Sequence, residues 1–444
     1  MLHFWPREVI DLFASEVSRK TGPRSRVVIP PGLIRGWIET RRGTRFRNSL
    51  MIRRIAAALF CAAVAPAFAE PPVKSAWDAV RPAAQEYFNA TGASARKAAL
   101  EKMKAAGLAE GKLTKGQAEA AEKMALAGSS KGKGRLGTHA IDVEASDGKH
   151  PVQIHTAPGV SPGRPAPLII GLHGGGPGDY DTAKTATADF VAWLSKYADQ
   201  AGAIVMLPGS TNWGQSGQEA MWKGYDYVIA NYNVDPNHVM IYGGSMGGFG
   251  TGSVVSDKTQ MFAMAAPFLG CVDLSGRAAD FRNLPFYIVI GALDADYCNK
   301  PAKATAKALK EAGCEVTFLE LAGKGHEVPP KEFPPFMAKF AKTKRNLFAK
   351  KIARAKGDGR WYWLDAAGPF EAEISGQTIT IKGTSGATVY LSDRMMDLEQ
   401  PVKVVIDGET KFEGKVERSL AVMMDEIEAT GDRGRTYSAK VEAR

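Results

Sequence analysis

The chain has 444 residues, an apolar share of 45%, a charged share of 23% and a formal net charge of +10. Length and composition fit two or three folded units with well-filled cores and exclude a disordered chain. The positive charge sits at one end: residues 1–50 with Arg53 and Arg54 carry +8, which leaves about +2 for residues 70–444 and no electrostatic footprint for nucleic acid.

Residues 1–50 are Arg-rich and lack a sustained apolar period. From Met51 the pattern changes. Arg53 and Arg54 precede an apolar run over Ile55–Val64, and Ala67-Phe68-Ala69 supplies small residues before Glu70. That is the layout of a cleaved secretory signal over 51–69, so an exported protein, periplasmic or extracellular, is expected. Met51 then reads as the true start and 1–50 as an over-extended gene start or a basic leader. The apolar run is too short to span a bilayer, so no stable membrane anchor is expected.

Residues 70–135 read as a helical segment followed by a linker. Trp77, Val80, Ala84, Tyr87 and Phe88 recur at helical spacing, further helices are predicted over about 94–106 and 114–127, and Gly128–Gly134 is rich in Gly, Ser and Lys. From about 136 to 348 strands alternate with helices. The predicted strands are Thr138–Ala145, Val152–Thr156, Leu168–Leu172, Ala203–Leu207, Val239–Tyr242, Met264–Phe268, Phe286–Ile290 and Glu315–Leu321. The predicted helices are Thr182–Gln200, Glu219–Tyr232, Phe249–Ser256, Lys300–Ala312 and Phe333–Phe348. Such alternation means an α/β fold: a doubly wound, mostly parallel sheet covered on both faces. Residues 356–444 form a small β-rich unit, with alternating runs at Phe370–Ile374, Thr378–Lys382, Thr388–Leu391, Val402–Ile406 and Thr436–Val441.

Gly243-Gly244-Ser245-Met246-Gly247 follows one strand and opens a helix. A nucleophile on so sharp a turn needs small neighbours, so Ser245 is the candidate nucleophile. His173-Gly174-Gly175-Gly176 follows an earlier strand. Backbone close approach at glycine makes Gly175 or Gly176 one candidate oxyanion donor, and Met246 N–H the other. His173 reads as holding that loop, with direct substrate contact as the alternative. The only histidine after Ser245 is His326, in a Gly-rich loop past a strand, and it is the candidate base. Gly291-Ala292-Leu293-Asp294-Ala295-Asp296 offers two carboxylates for the acid, and Asp294 has the preferred Gly-x-x-Asp spacing. The chain order Ser, Asp, His separates this set from chymotrypsin-like and subtilisin-like arrangements.

With these four loops in this order, residues of about 138–348 resemble the α/β-hydrolase superfamily, nearest to esterases of the polyhydroxybutyrate depolymerase, feruloyl esterase and esterase D kind. The resemblance implies ester hydrolysis through an acyl-enzyme, on a small-molecule or polymer-attached ester, with no cofactor. Leu269–Pro285 is too short for a helical lid, so an open site is expected, with Tyr180, Trp213 and Trp222 as candidate lining beside His173. Two other functions stay open: a peptidase of the oligopeptidase group, and a silent envelope or polysaccharide binder suggested by the aromatic C-terminal unit, which includes Trp361-Tyr362-Trp363. Three cysteines remain after the signal segment; none has metal-ligand spacing, and Cys271–Cys298 is the candidate disulfide, with Cys314 a buried apolar residue.

Overall fold

The computed structural model describes residues 76–90, 93–107, 111–128, 134–176 and 178–444. The expected leader and signal segment lie outside these residues. Everything described falls within one unit running from Lys74 to Arg444.

Among the described residues three helices come first: α1 (Ala76–Asn89), α2 (Ala93–Ala105) and α3 (Lys115–Ala127). Thr114 caps α3, accepting from the Gln117 N–H while the Gln117 side chain accepts from the Thr114 N–H, which satisfies two otherwise orphaned donors.

An eight-stranded sheet follows: β1 (Gly137–Ala145), β2 (Gly148–Thr156), β3 (Ala166–Leu172), β4 (Ile204–Pro208), β5 (Val234–Gly244), β6 (Met264–Phe268), β7 (Phe286–Gly291) and β8 (Val316–Leu321). Its spatial order is β1-β2-β4-β3-β5-β6-β7-β8. β2 runs antiparallel to both of its neighbours, and β4 through β8 are mutually parallel. The crossovers are helices α4 (Tyr180–Ala201), α5 (Gln215–Asn231), α6 (Met246–Lys258) and α7 (Asp296–Glu311), with α8 (Phe333–Phe340) after β8. Continuous apolar runs such as Leu168-Ile169-Ile170 are buried on both faces, because helices cover both sides of a parallel sheet. This is the α/β-hydrolase fold. A 3₁₀ segment, Ser275–Phe281, fills the β6–β7 connection, and Phe281 is buried in the core, so no lid rises there.

The predicted helix over Phe333–Phe348 stops at Phe340. Beyond it the chain is drawn away: Arg345 N–H donates to Asn237 O, and its guanidinium pairs with the buried Asp432.

The C-terminal part has two sheets around one apolar core. One is β10-β11-β14-β17, from Gly359–Trp361, Leu364–Ala366, Ala387–Leu391 and Ala439–Ala443. The other is β16-β15-β13-β12-β9, from Glu409–Gly414, Val402–Ile406, Thr378–Lys382, Phe370–Ser375 and Lys351–Arg354. Trp361, Tyr362 and Trp363 are buried in that core, and the two indole N–H groups donate to Ala353 O and Ala349 O. They present no aromatic face for a glycan.

One helix here went unanticipated: α9 (Leu420–Thr430), capped by Ser419 and ended by Gly431 in the left-handed region. Its Leu420, Met423, Met424 and Ile427 pack into one cluster with α1, α2 and α3, so the first described helices and the last one share a core.

Candidate active site

Ser245 stands between β5 and α6 with φ 57° and ψ −120°, a backbone that a non-glycine residue adopts only under constraint. Ser245 N–H donates to Phe268 O on β6, and Ser245 O accepts from the Gly248 and Phe249 N–H groups. The glycines of the motif earn their place sterically: a Cβ on Gly243 would sit 2.1 Å from Gly247 O, and one on Gly247 would sit 2.0 Å from Leu172 O. No side chain fits either position, so the turn can close only with glycine there.

His326 Nε2 lies 2.7 Å from Ser245 Oγ, and its Nδ1 lies 3.0 and 2.9 Å from the two Asp294 oxygens. A carboxylate only accepts, so Nδ1 carries the proton and Nε2 presents its lone pair to the serine hydroxyl. The Asp294 side chain is 1% exposed and that of His326 41%, which places the acid under the base and the base at the surface. Asp296, the other candidate acid, points into solvent and pairs with Lys300 at 2.7 Å. The acid and base loops brace one another. Leu293 N–H donates to Lys324 O and a Cβ on Gly291 would meet Gly325 O at 2.1 Å, while within the acid segment the Asn299 amide donates to Gly291 O.

Of the predicted oxyanion residues, Met246 is the first residue of α6, whose N–H has no intrahelical acceptor. In the glycine loop it is Gly174 that meets the nucleophile: a Cβ there would come within 2.9 Å of Gly244 O and 3.2 Å of Ser245 Cβ. Gly175 and Gly176 are exposed, and a Cβ on either would meet nothing within 4 Å. His173 orients this loop. Ser210 N–H donates to its Nε2, so Nδ1 holds the proton and donates to Gly174 O at 2.8 Å. Burial keeps the His173 pKa below its ordinary value, which favours that neutral ring. Trp213 lies beneath, its indole N–H donating to His173 O.

A cleft of about 470 Å³ opens beside Ser245, lined in part by His173, Gly174, Tyr242, Leu269, His326 and Val328, with α4 as a further wall. Among the predicted lining residues only His173 reaches it. Trp213 is buried behind the loop, Tyr180 donates to Asp142 on β1, and Trp222 packs on Tyr225 and Phe262. The α4 wall escaped the sequence reading because an amphipathic helix declares an apolar stripe without saying which part of it overhangs a cleft. Val328, an exposed apolar residue just past His326, edges the mouth.

The expected Cys271–Cys298 disulfide is absent: both thiols and that of Cys314 are free and buried. Cys271 turns to Thr305, whereas Cys298 is carried on α7 to within 4.8 Å of Asp294 and His326, so the two sulfurs face different neighbours although β6 and β7 are adjacent. Burial raises the Cys271 thiol to about 12, and burial together with Asp294 raises Cys298. Asp294, Cys298 and His326 form the only group among the described residues spaced to hold a metal ion, but His326 Nδ1 is already committed to the Asp294 hydrogen bond.

Residues 206–286 match the prolyl oligopeptidase family (peptidase S9). Over 118 residues the chain is 30% identical to feruloyl esterase B of Neurospora crassa, an alignment covering 23% of this chain and 38% of that protein. Among solved structures, a thermostable esterase aligns at 20% identity and TM-score 0.42, over 47% of this chain and 63% of its own. The S-formylglutathione hydrolase of Staphylococcus aureus aligns at 14% identity and TM-score 0.37, over 47% and 100%. The chain thus spans well under half of the curated relative's length, and the prolyl oligopeptidase match falls within the part that carries the α/β sheet.

Proposed function

We propose that this protein is an exported serine hydrolase that cleaves carboxylic esters through an acyl-enzyme on Ser245. The observation that carries the reading is the continuous line from Asp294 through His326 to Ser245 Oγ at the edge of an open cleft. In this reading His326 Nε2 takes the serine proton as Oγ attacks the ester carbonyl, and Asp294 stabilises the resulting imidazolium in place. The Met246 N–H, at the positive end of α6, is one donor to the oxyanion. The Gly175 N–H is the other: His173 holds Gly174 O toward itself, and in a trans peptide the following N–H points the opposite way. His326 then returns its proton to the leaving alcohol, and water repeats the sequence to free the acid.

An ester substrate is supported by the similarity to a feruloyl esterase over 118 residues. The exposed Val328 at an unlidded mouth suits an acyl or alcohol group carried on a larger molecule. Export rests on the signal-like segment over 51–69, and among the described residues no helix is long and apolar enough to cross a membrane. Peptide hydrolysis is the second reading, favoured by the match of residues 206–286 to the prolyl oligopeptidase family. The test is hydrolysis of p-nitrophenyl acetate, butyrate and octanoate beside alanine and proline p-nitroanilides, by wild type and Ser245→Ala. Ester turnover lost in the variant supports the proposal; anilide turnover without ester turnover replaces it with the peptidase.

A further inference from the structure

The wall of the cleft contributed by α4 consists of Ala186, Asp189, Phe190 and Trp193. These positions follow the spacing i, i+3, i+4, i+7, so they form one stripe of the helix, and that stripe faces the nucleophile. Three of the four are apolar, with Phe190 and Trp193 stacked at 5.9 Å. The fourth is a carboxylate.

That carboxylate is exposed at the mouth of the cleft, and no partner among the described residues engages it. Asp189 lies ten residues into α4, beyond the first turn where the helix dipole favours an acid, and the cap of this helix is Asp179. The residues one turn away on either side, Thr185 and Trp193, carry no charge to pair with it. Among the described residues no ion pair or hydrogen bond engages its carboxylate, and no Lys or Arg lines the cleft. Both imidazoles there are already engaged, His173 by Gly174 O and Ser210 N–H, and His326 by Asp294 and Ser245. Tyr242 completes the wall, its ring 5.7 Å from that of Phe190. One unpaired carboxylate beside a stacked Phe–Trp pair and a tyrosine is an arrangement that attracts a cation by charge and by the ring faces together.

We infer that the cleft selects substrates bearing an ammonium group, primary or quaternary, which Asp189 and the Phe190–Trp193 face bind while Ser245 attacks the carbonyl. The inference rests on Ser245 being the nucleophile and leaves open on which side of the ester bond the ammonium sits. The chemistry is a non-covalent ion pair, so the bond-breaking steps are those already given.

The experiment uses reversible boronate ligands of serine, which read either side of the cleft. 3-(Trimethylammonio)phenylboronic acid and 3-tert-butylphenylboronic acid share a shape and differ in one charge. Each is titrated against labelling of Ser245 by a fluorophosphonate probe, in the full chain and in Asp189→Asn and Asp189→Glu. The expected result is about tenfold tighter binding of the cationic boronate by wild type, from one partly exposed ion pair and one cation–π contact. That ratio should fall toward one in Asp189→Asn, persist in Asp189→Glu, and shrink as sodium chloride is raised. A wild-type ratio near one, or a ratio that survives in Asp189→Asn, overturns the inference while leaving the serine hydrolase reading intact. Absence of any probe labelling overturns both.

Discussion

The α/β sheet and the C-terminal pair of sheets bury aromatic cores in different ways, and the difference separates chemistry from support. In the parallel sheet every strand from β3 to β8 points its C-terminal end the same way, so loops from β3, β5, β7 and β8 converge. They bring His173, Ser245, Asp294 and His326 to one cleft. In the C-terminal part neighbouring strands run mostly antiparallel, loops emerge at both ends, and the aromatic residues turn inward. Its strongest polar groups are likewise buried. Arg345 and Asp432 are 2% and 5% exposed and meet through two hydrogen bonds, and Arg360 pairs with the buried Glu426. The polar residues of the first region wait for a substrate, whereas those of the second hold the chain to itself.

The sharpest way to break that division is Ser245→Ala, expected to lower kcat by about 10⁴-fold or more with no change in thermal midpoint. Residual activity near wild type would move the nucleophile elsewhere. Asp294→Asn is next. It forces the wrong imidazole tautomer and should cost about 10⁴-fold in kcat, while Asp296→Asn stays within about twofold; steady-state kinetics on one ester compares them. If Asp296→Asn were the damaging change, the assignment of the acid would reverse.

On the support side, Arg345→Met leaves Asp432 buried without its main partner and should destabilise the fold by about 3–5 kcal/mol in urea denaturation. Activity per folded molecule should be retained. The double variant Arg345→Met, Asp432→Leu should recover much of the loss, and a failure to recover would mean that shape rather than charge dominates there. The smallest effect concerns pH. Burial lowers the pKa of His139, His173 and His238, and at His238 the Lys344 ammonium adds to it. The unfolded chain binds these protons first, so stability is full above about pH 6.5 and is lost as pH falls below it. The thermal midpoint should therefore drop between pH 7 and 5, and His238→Gln should flatten that slope.

Strand ends and the chemistry they carry were legible because the signals are local. Apolar runs of five or six residues, glycines past a strand and a lone downstream histidine need no knowledge of the rest of the chain. Helix α9 was legible too, from Ser419, Gly431 and the Leu420, Met423, Met424, Ile427 spacing, but the surrounding strand alternation masked it. The fate of Trp361 and Trp363 was not legible, because an aromatic residue in a strand can face a core or a ligand and only the opposing sheet decides. The same holds for Tyr180 and Trp222, which lie on helices α4 and α5 and turn to Asp142 and to Phe262.

The sequence by itself determined the layered α/β architecture, the order of the reactive loops and the identity of Ser245, Asp294 and His326 as candidates, since each depends on period, turn chemistry and chain order. Tertiary structure decided three further matters. It set which glycine touches the serine, which helix stripe walls the cleft, and whether Cys271 meets Cys298. Those depend on side-chain direction across elements far apart in sequence, where a rotation of one helix by a single position changes the neighbour.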